Sequence, residues 1–176
     1  MAQPANIPYT TLDSFRGEYG RVTAIQPEDC VGAMWNTIII SIFPIAHFAL
    51  ERQAMNPGGF PDITVSAWTR NGNNLFRRPF LVMETKKAPS DGGPRWEVAE
   101  PQLKRYLEGH AQTAATGQTG GARLYGAVAI GTAVKFYTYN RRKGTLNPMY
   151  CQQQAYDVIN DAAVVIKRLQ QIMNNH

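Results

Sequence analysis

Apolar residues along the first quarter of the chain recur at helical spacing: Val31, Met34, Trp35, Ile38, Ile39 and Ile42 fall on one side of a helix. Gln26-Pro27-Glu28-Asp29 opens it, with a proline suited to a first turn and acids that complement the helix dipole. Pro44 stops it. The pattern then changes to strands. His47–Ala54 is a short stretch, and Asn56-Pro57-Gly58-Gly59 has the chemistry of a turn between two strands. Asp62–Thr69 is rich in β-formers, Asn71-Gly72-Asn73-Asn74 makes a second turn, and Phe80-Leu81-Val82-Met83 is a continuous apolar run, as in a strand buried on both faces. A helix followed by a three-stranded meander is the expectation for this half.

Beyond the loop Ala88–Pro94, Glu97 to about Thr116 has helix-forming composition, with Pro101 marking its first turn. Gly117–Gly121 reads as flexible. Leu124–Ile130 and Val134–Tyr139 read as strands split near Gly131-Thr132, and Arg141-Arg142-Lys143-Gly144 turns the chain. Tyr156–Met173 carries Val158, Ile159, Ala162, Val165, Ile166, Leu169 and Ile172 at helical spacing, which predicts an amphipathic terminal helix. Residues 1–25 are weakly patterned and form an N-terminal arm, residues 26–140 the core, and residues 141–176 a basic turn and a C-terminal helix packed on that core.

Composition adds a partner and a compartment. The chain has 176 residues, 44% of them hydrophobic and 18% charged, which suits a folded globule. A formal net charge of +5 favours an anionic partner, nucleic acid being the commonest. Two lone cysteines, Cys30 and Cys151, make neither a disulfide framework nor a zinc site and read as buried thiols. Met1–Thr10 lacks the charged-then-apolar start of a secretion signal, and the longest apolar run, Thr37–Leu50, contains Pro44 and His47 and is too short to span a bilayer. A soluble intracellular protein, cytoplasmic or nuclear, with no membrane association, is the expectation.

The candidate chemistry lies in the middle third. Asp62 opens the second strand and Glu84 closes the third, so antiparallel neighbours would carry both carboxylates to one edge of the sheet. Mg²⁺ takes oxygen ligands, and Asp62, Glu84 and the backbone carbonyl of Thr85 would supply them. Lys86, two residues after Glu84, points to the same face, where its ammonium could orient a water or offset charge building on phosphorus. Glu-x-Lys is common on solvated surfaces as a simple charge pair. Here it follows directly on a buried-type strand, where an unpaired acid is expensive. Gln102 and Tyr106 sit four apart on the next helix.

Phe60-Pro61-Asp62-Ile63-Thr64-Val65, a turn, and Phe80-Leu81-Val82-Met83-Glu84-Thr85-Lys86 together resemble the PD-(D/E)XK nuclease superfamily, and in hairpin form the nuclease domain of type I restriction enzymes. Gln102-Leu103-Lys104-Arg105-Tyr106 resembles the Gln-x-x-x-Tyr motif of the RecB-like branch. The resemblance covers roughly Glu28 to Tyr139 at the level of motif order. It implies an α/β restriction-endonuclease-like core (αβββαβ, a mixed sheet flanked by helices) with an added C-terminal helix. It also implies an Mg²⁺- or Mn²⁺-dependent nuclease acting on nucleic acid, DNA before RNA, by in-line attack of metal-activated water that leaves a 5′-phosphate. Asp62, Glu84 and Lys86 would carry the core catalytic roles, with Gln102 and Tyr106 placing substrate or water. A first-helix glutamate often joins the metal ligands: Glu28 is the candidate, Glu51 the alternative.

Lys87, Arg95, Lys104, Arg105, Arg141, Arg142 and Lys143 would form a phosphate-contacting rim, against a reading of the last three as ordinary solvated charge. Trp35, Trp68 and Trp96 read as packing. A homodimer would supply the two sites that cutting both strands of a duplex requires. The competing function is a catalytically inactive module of the same fold that binds nucleic acid or a protein.

Overall fold

The helical stripe from Val31 to Ile42 forms α2 (Asp29–Ile42), and every member of it is buried. The Phe43 N–H closes the last turn on the Ile39 carbonyl at 2.8 Å, and Pro44, with no N–H to donate, ends the helix. The computed structural model describes residues 8–115, 123–149 and 154–176, so Gly117–Gly121 and Cys151 lie outside the described residues, while Cys30 is buried. Ahead of α2, a 3-10 turn (Tyr9–Thr11) leads into α1 (Asp13–Arg21). Tyr9 and Phe15 are fully buried with rings 4.9 Å apart, and the Tyr9 hydroxyl donates to the Val158 carbonyl at 2.6 Å. The weakly patterned N-terminal stretch is thus packed on the core from Tyr9 onward.

Strands β1 (Phe48–Arg52), β2 (Ile63–Asn71), β3 (Asn74–Lys86), β4 (Leu124–Ile130), β5 (Ala133–Asn140) and β6 (Thr145–Pro148) follow one another across one sheet, and β7 (Tyr156–Asp157) also pairs with β5. The β3–β4 pair is parallel and the others are antiparallel. A parallel neighbour needs a crossover, and α3 (Trp96–Ala115) supplies it across one face of the sheet. Helices α1, α2 and α4 (Ala162–Asn174) cover the other face. The protein is therefore α/β, with a mixed open sheet between two helical layers. Among the described residues, no helix is long and apolar enough to cross a membrane.

Strand β3 explains its own apolar run. Val65 pairs with Leu81 but Ser66 pairs with Pro79, so Phe80 is an extra residue in the ladder. Pro79, which cannot donate, is tolerated at such an irregularity. Phe80 is then free to fill the α2 side against Phe43 and Phe48, at ring distances of 5.9 and 5.6 Å. Past the bulge the strand alternates cleanly: Leu81 and Met83 join the α2-side core and Val82 the α3-side core.

Three expectations are corrected. Tyr156–Asp161 is β7 and a turn, not the start of the terminal helix. The Asp157 carboxylate accepts the N–H groups of Ile159 and Asn160, both at 2.9 Å, and Asp161 Oδ2 accepts the Asp157 N–H at 2.9 Å. These local bonds outcompete the helical ladder, which starts only at Ala162. Pro101 lies inside α3 instead of in its first turn; packing of Ala99, Leu103 and Leu107 on the sheet outweighs the lost backbone bond. Trp68 is 44% exposed, with the Arg77 guanidinium over its ring, and is not a core residue.

Candidate metal centre

Ile63 pairs with Met83 at the last rung of the β2–β3 ladder, so Asp62 and Glu84 come level at one end of the sheet. Two donors fix Asp62: the Thr85 backbone N–H at 2.7 Å and the Thr85 hydroxyl at 2.9 Å, both to Oδ2. Glu84 is 1% exposed, and Lys86 Nζ donates to its Oε1. The same ammonium lies 3.4 Å from Glu28 Oε1. Glu28 precedes α2 and makes no side-chain cap bond, which leaves its carboxylate available to the sheet end. One carboxylate oxygen from each of Glu28, Asp62 and Glu84 lies within 4.8 Å of the others. Glu51, the other acid considered, pairs with Arg77 at 2.5 Å instead.

The cluster is electrostatically unbalanced. Burial pushes the Glu84 carboxyl up to about 7; the Lys86 hydrogen bond opposes this, and the charges of Asp62 and Glu28 add to it. Burial also draws Lys86 down, but the bond and charge of Glu84, together with Glu28, outweigh it and hold the ammonium above its ordinary value. Glu84 Oε2 is buried and has no hydrogen-bond partner among the described residues. A buried acceptor left unmatched is costly. Three hard carboxylate donors, one of them orphaned, fit Mg²⁺ or Mn²⁺.

The remaining expected site residues divide by location. Thr85 acts on Asp62 through its N–H and hydroxyl; the hydroxyl had no part in the sequence-based expectation. Gln102 Nε2 donates to the Tyr106 hydroxyl at 2.7 Å. Among the described residues, neither side chain bonds to the three acids. They connect to Asp62 through the 56–59 turn. The Asn56 amide donates to the Tyr106 carbonyl at 3.4 Å, Arg105 Nε to the Gly58 carbonyl at 2.9 Å, and the Tyr106 ring packs against Gly59. Arg105 is thus partly a structural tie, and Lys104 pairs with Glu108 at 3.4 Å. Lys87 and Arg95 are exposed at either end of the segment joining β3 to α3.

Arg141, Arg142 and Lys143 lie at the far end of the sheet. Leu124 pairs with Tyr139 there, whereas Ile130, beside Lys86, pairs with Ala133 at the acid end. Strand β4 separates the two by roughly 20 Å. Arg123, Arg141 and Arg142 line a cleft of about 640 Å³ at that far end, with Thr138, Tyr139 and Asn147. Burial and the nearby Arg78 charge lower Arg141. Burial, then Arg141, pushes His110 down to about 4, so this imidazole is neutral at physiological pH.

No family model matches the chain, and no curated protein or solved structure matches it either.

Proposed function

We propose that the protein is a divalent-metal-dependent nuclease that hydrolyses phosphodiester bonds of nucleic acid, DNA before RNA, on a restriction-endonuclease-like core. The observation that carries this reading is Glu84: a carboxylate 1% exposed at a strand end, with one oxygen that has no partner among the described residues, grouped with Asp62 and Glu28 and bonded to a lysine. Such a group weakens a fold on its own account, and perturbed acids in a polar cluster mark functional sites.

Glu28, Asp62 and Glu84 would hold the cation, with Asp62 kept in place by Thr85. A bound divalent cation supplies Lewis acidity towards a phosphoryl oxygen and acidifies water. Lys86 stays protonated across physiological pH, so it serves as donor and electrostatic stabiliser, not as a base. With Glu28 and Glu84 holding a cation, the Lys86 ammonium would be available to donate to a phosphate oxygen of the substrate. Gln102 and Tyr106 act on this end of the sheet through the turn that leads to Asp62.

End-labelled DNA and RNA incubated with Mg²⁺ or Mn²⁺ test the reading. Cleavage leaving 5′-phosphate ends and abolished by EDTA is expected; 3′-phosphate ends, or cutting that persists in EDTA, would overturn it.

Two further outcomes are expected. Because Glu84 titrates near 7, cation binding at pH 6.5 expels a proton from it. Calorimetry of Mg²⁺ binding should therefore give enthalpies that differ between buffers of different ionisation enthalpy, and the difference should vanish by about pH 9. A difference that persists unchanged at pH 9 would contradict the Glu84 assignment. The far-end arginines should contribute binding without chemistry. The Arg123→Glu/Arg142→Glu variant should bind a fluorescein-labelled duplex more weakly at low salt, with the salt slope reduced by about 2, and leave turnover at saturation unchanged. An unaltered slope would remove this cleft from the binding surface.

A further inference from the structure

Arg52 ends β1 opposite Ile63, whose side chain belongs to the α2-side core. Directly opposite residues of paired strands share a face, so Arg52 leaves the sheet towards α2. There it meets Gly32, one helical turn along from Glu28. A Cβ on Gly32 would lie 2.8 Å from Arg52 Nη2, 3.6 Å from its Cζ and 3.7 Å from the Thr85 hydroxyl that clamps Asp62. Glycine weakens a helix interior. What its missing side chain admits at this point is a guanidinium, on the side of α2 that also faces the Thr85 hydroxyl bonded to Asp62.

Arg52 is an exposed residue, and among the described residues its guanidinium has neither a hydrogen bond nor an ion pair. Lys86 and a divalent cation would neutralise Glu28, Asp62 and Glu84, so a phosphodiester arriving there would bring an unmatched negative charge. A guanidinium is always protonated, and its planar fork matches two phosphate oxygens. Resting on the nuclease reading, we propose that Arg52, seated in the gap left by Gly32, is a phosphate-contacting residue of this site and holds non-bridging oxygens of the substrate backbone.

The test combines Arg52→Gln, Arg52→Lys and Gly32→Ala. Cleavage is measured in Mg²⁺, and binding of a fluorescein-labelled duplex is followed by anisotropy in EDTA and in Ca²⁺. Arg52→Gln should lower kcat/KM roughly tenfold to a hundredfold and reduce the salt slope of binding by about 1. Arg52→Lys should recover part of both. Gly32→Ala should leave the melting temperature unchanged or higher, yet lower cleavage by displacing the guanidinium. The Arg52→Gln/Gly32→Ala double variant should be no worse than Arg52→Gln alone, because both remove the same contact. Wild-type cutting and binding in Arg52→Gln, or additive losses in the double variant, would overturn the proposal. If the wild-type protein cuts no nucleic acid with any metal, the nuclease reading fails, and an unchanged salt slope in Arg52→Gln overturns the phosphate contact separately.

Discussion

Replacing Glu84 by glutamine should cost on the order of a thousandfold in metal-dependent cleavage and at the same time make the metal-free protein more stable at pH 8. Both effects come from the same carboxylate. The carboxamide keeps the shape of the side chain and the acceptor for Lys86 Nζ. It removes the charge that burial and two neighbouring acids make unfavourable and that a cation needs. The sign of the stability effect follows from linkage. In the folded protein Glu84 titrates near 7, above its ordinary 4.5, so the native state holds the proton more tightly. The stability this confers is full below about 4.5 and is lost as the pH rises through 7. Melts in EDTA should therefore show Glu84→Gln gaining about 1–3 kcal/mol over wild type at pH 8, and close to nothing at pH 4.5. A variant less stable than wild type at pH 8 would mean that the buried carboxylate is already compensated without a cation.

Substituting alanine for Gly109 should destabilise the fold by about 2–4 kcal/mol, against the roughly 1 kcal/mol that alanine gains over glycine in a helix interior. The reason is a backbone-to-backbone contact between α3 and the turn ahead of β2. A Cβ on Gly109 would stand 2.4 Å from the Gly58 nitrogen and 2.9 Å from Asn56 Oδ1. On the other side of the contact, a Cβ on Gly58 would stand 2.2 Å from the Arg105 carbonyl oxygen. The nearest obstacle on each side, the Gly58 nitrogen and the Arg105 carbonyl oxygen, is backbone and cannot swing away as a side chain could. This turn runs through Phe60 and Pro61 into Asp62, so displacing it moves a proposed metal ligand. Urea unfolding should show the loss of stability, and Mg²⁺ affinity should fall with it. A Gly109→Ala protein stabilised by its helix propensity would show that the turn does not need this seat.

The parts of the fold carried by local pattern were legible in the sequence. The α2 stripe, the three-stranded meander and the burial of Phe80–Met83 on both faces each follow from the spacing of apolar residues, and the structure has them. Where a few side-chain bonds or one long-range contact decides, spacing says little. Asp157 and Asp161 hold a turn where the apolar period continues unbroken from Val158. Strand β6 is short and lacks an apolar run; its pairing with β5 and the packing of Leu146 on the α3-side core fix it.

At the candidate site, the level placement of Asp62 and Glu84 was readable from strand order. The choice of Glu28 over Glu51 was not, because it depends on how α2 meets the sheet end and on Arg77 engaging Glu51. The Thr85 hydroxyl clamp and Arg52 carried no motif. The glycines that accompany these contacts, Gly32 and Gly109, lie inside α2 and α3. What each admits appears only once a distant segment is laid against it.

Glu28, Asp62 and Glu84 are proposed to hold a cation that serves hydrolysis of nucleic acid. Plasmid and single-stranded DNA treated with purified protein and Mg²⁺ or Mn²⁺, beside Asp62→Ala and Lys86→Ala proteins shown to be folded, test it most directly. Metal-dependent cutting that disappears in both variants is the expected result. Cutting that survives Asp62→Ala unchanged, or a wild-type protein that neither cuts DNA nor binds the metal by calorimetry, would contradict it.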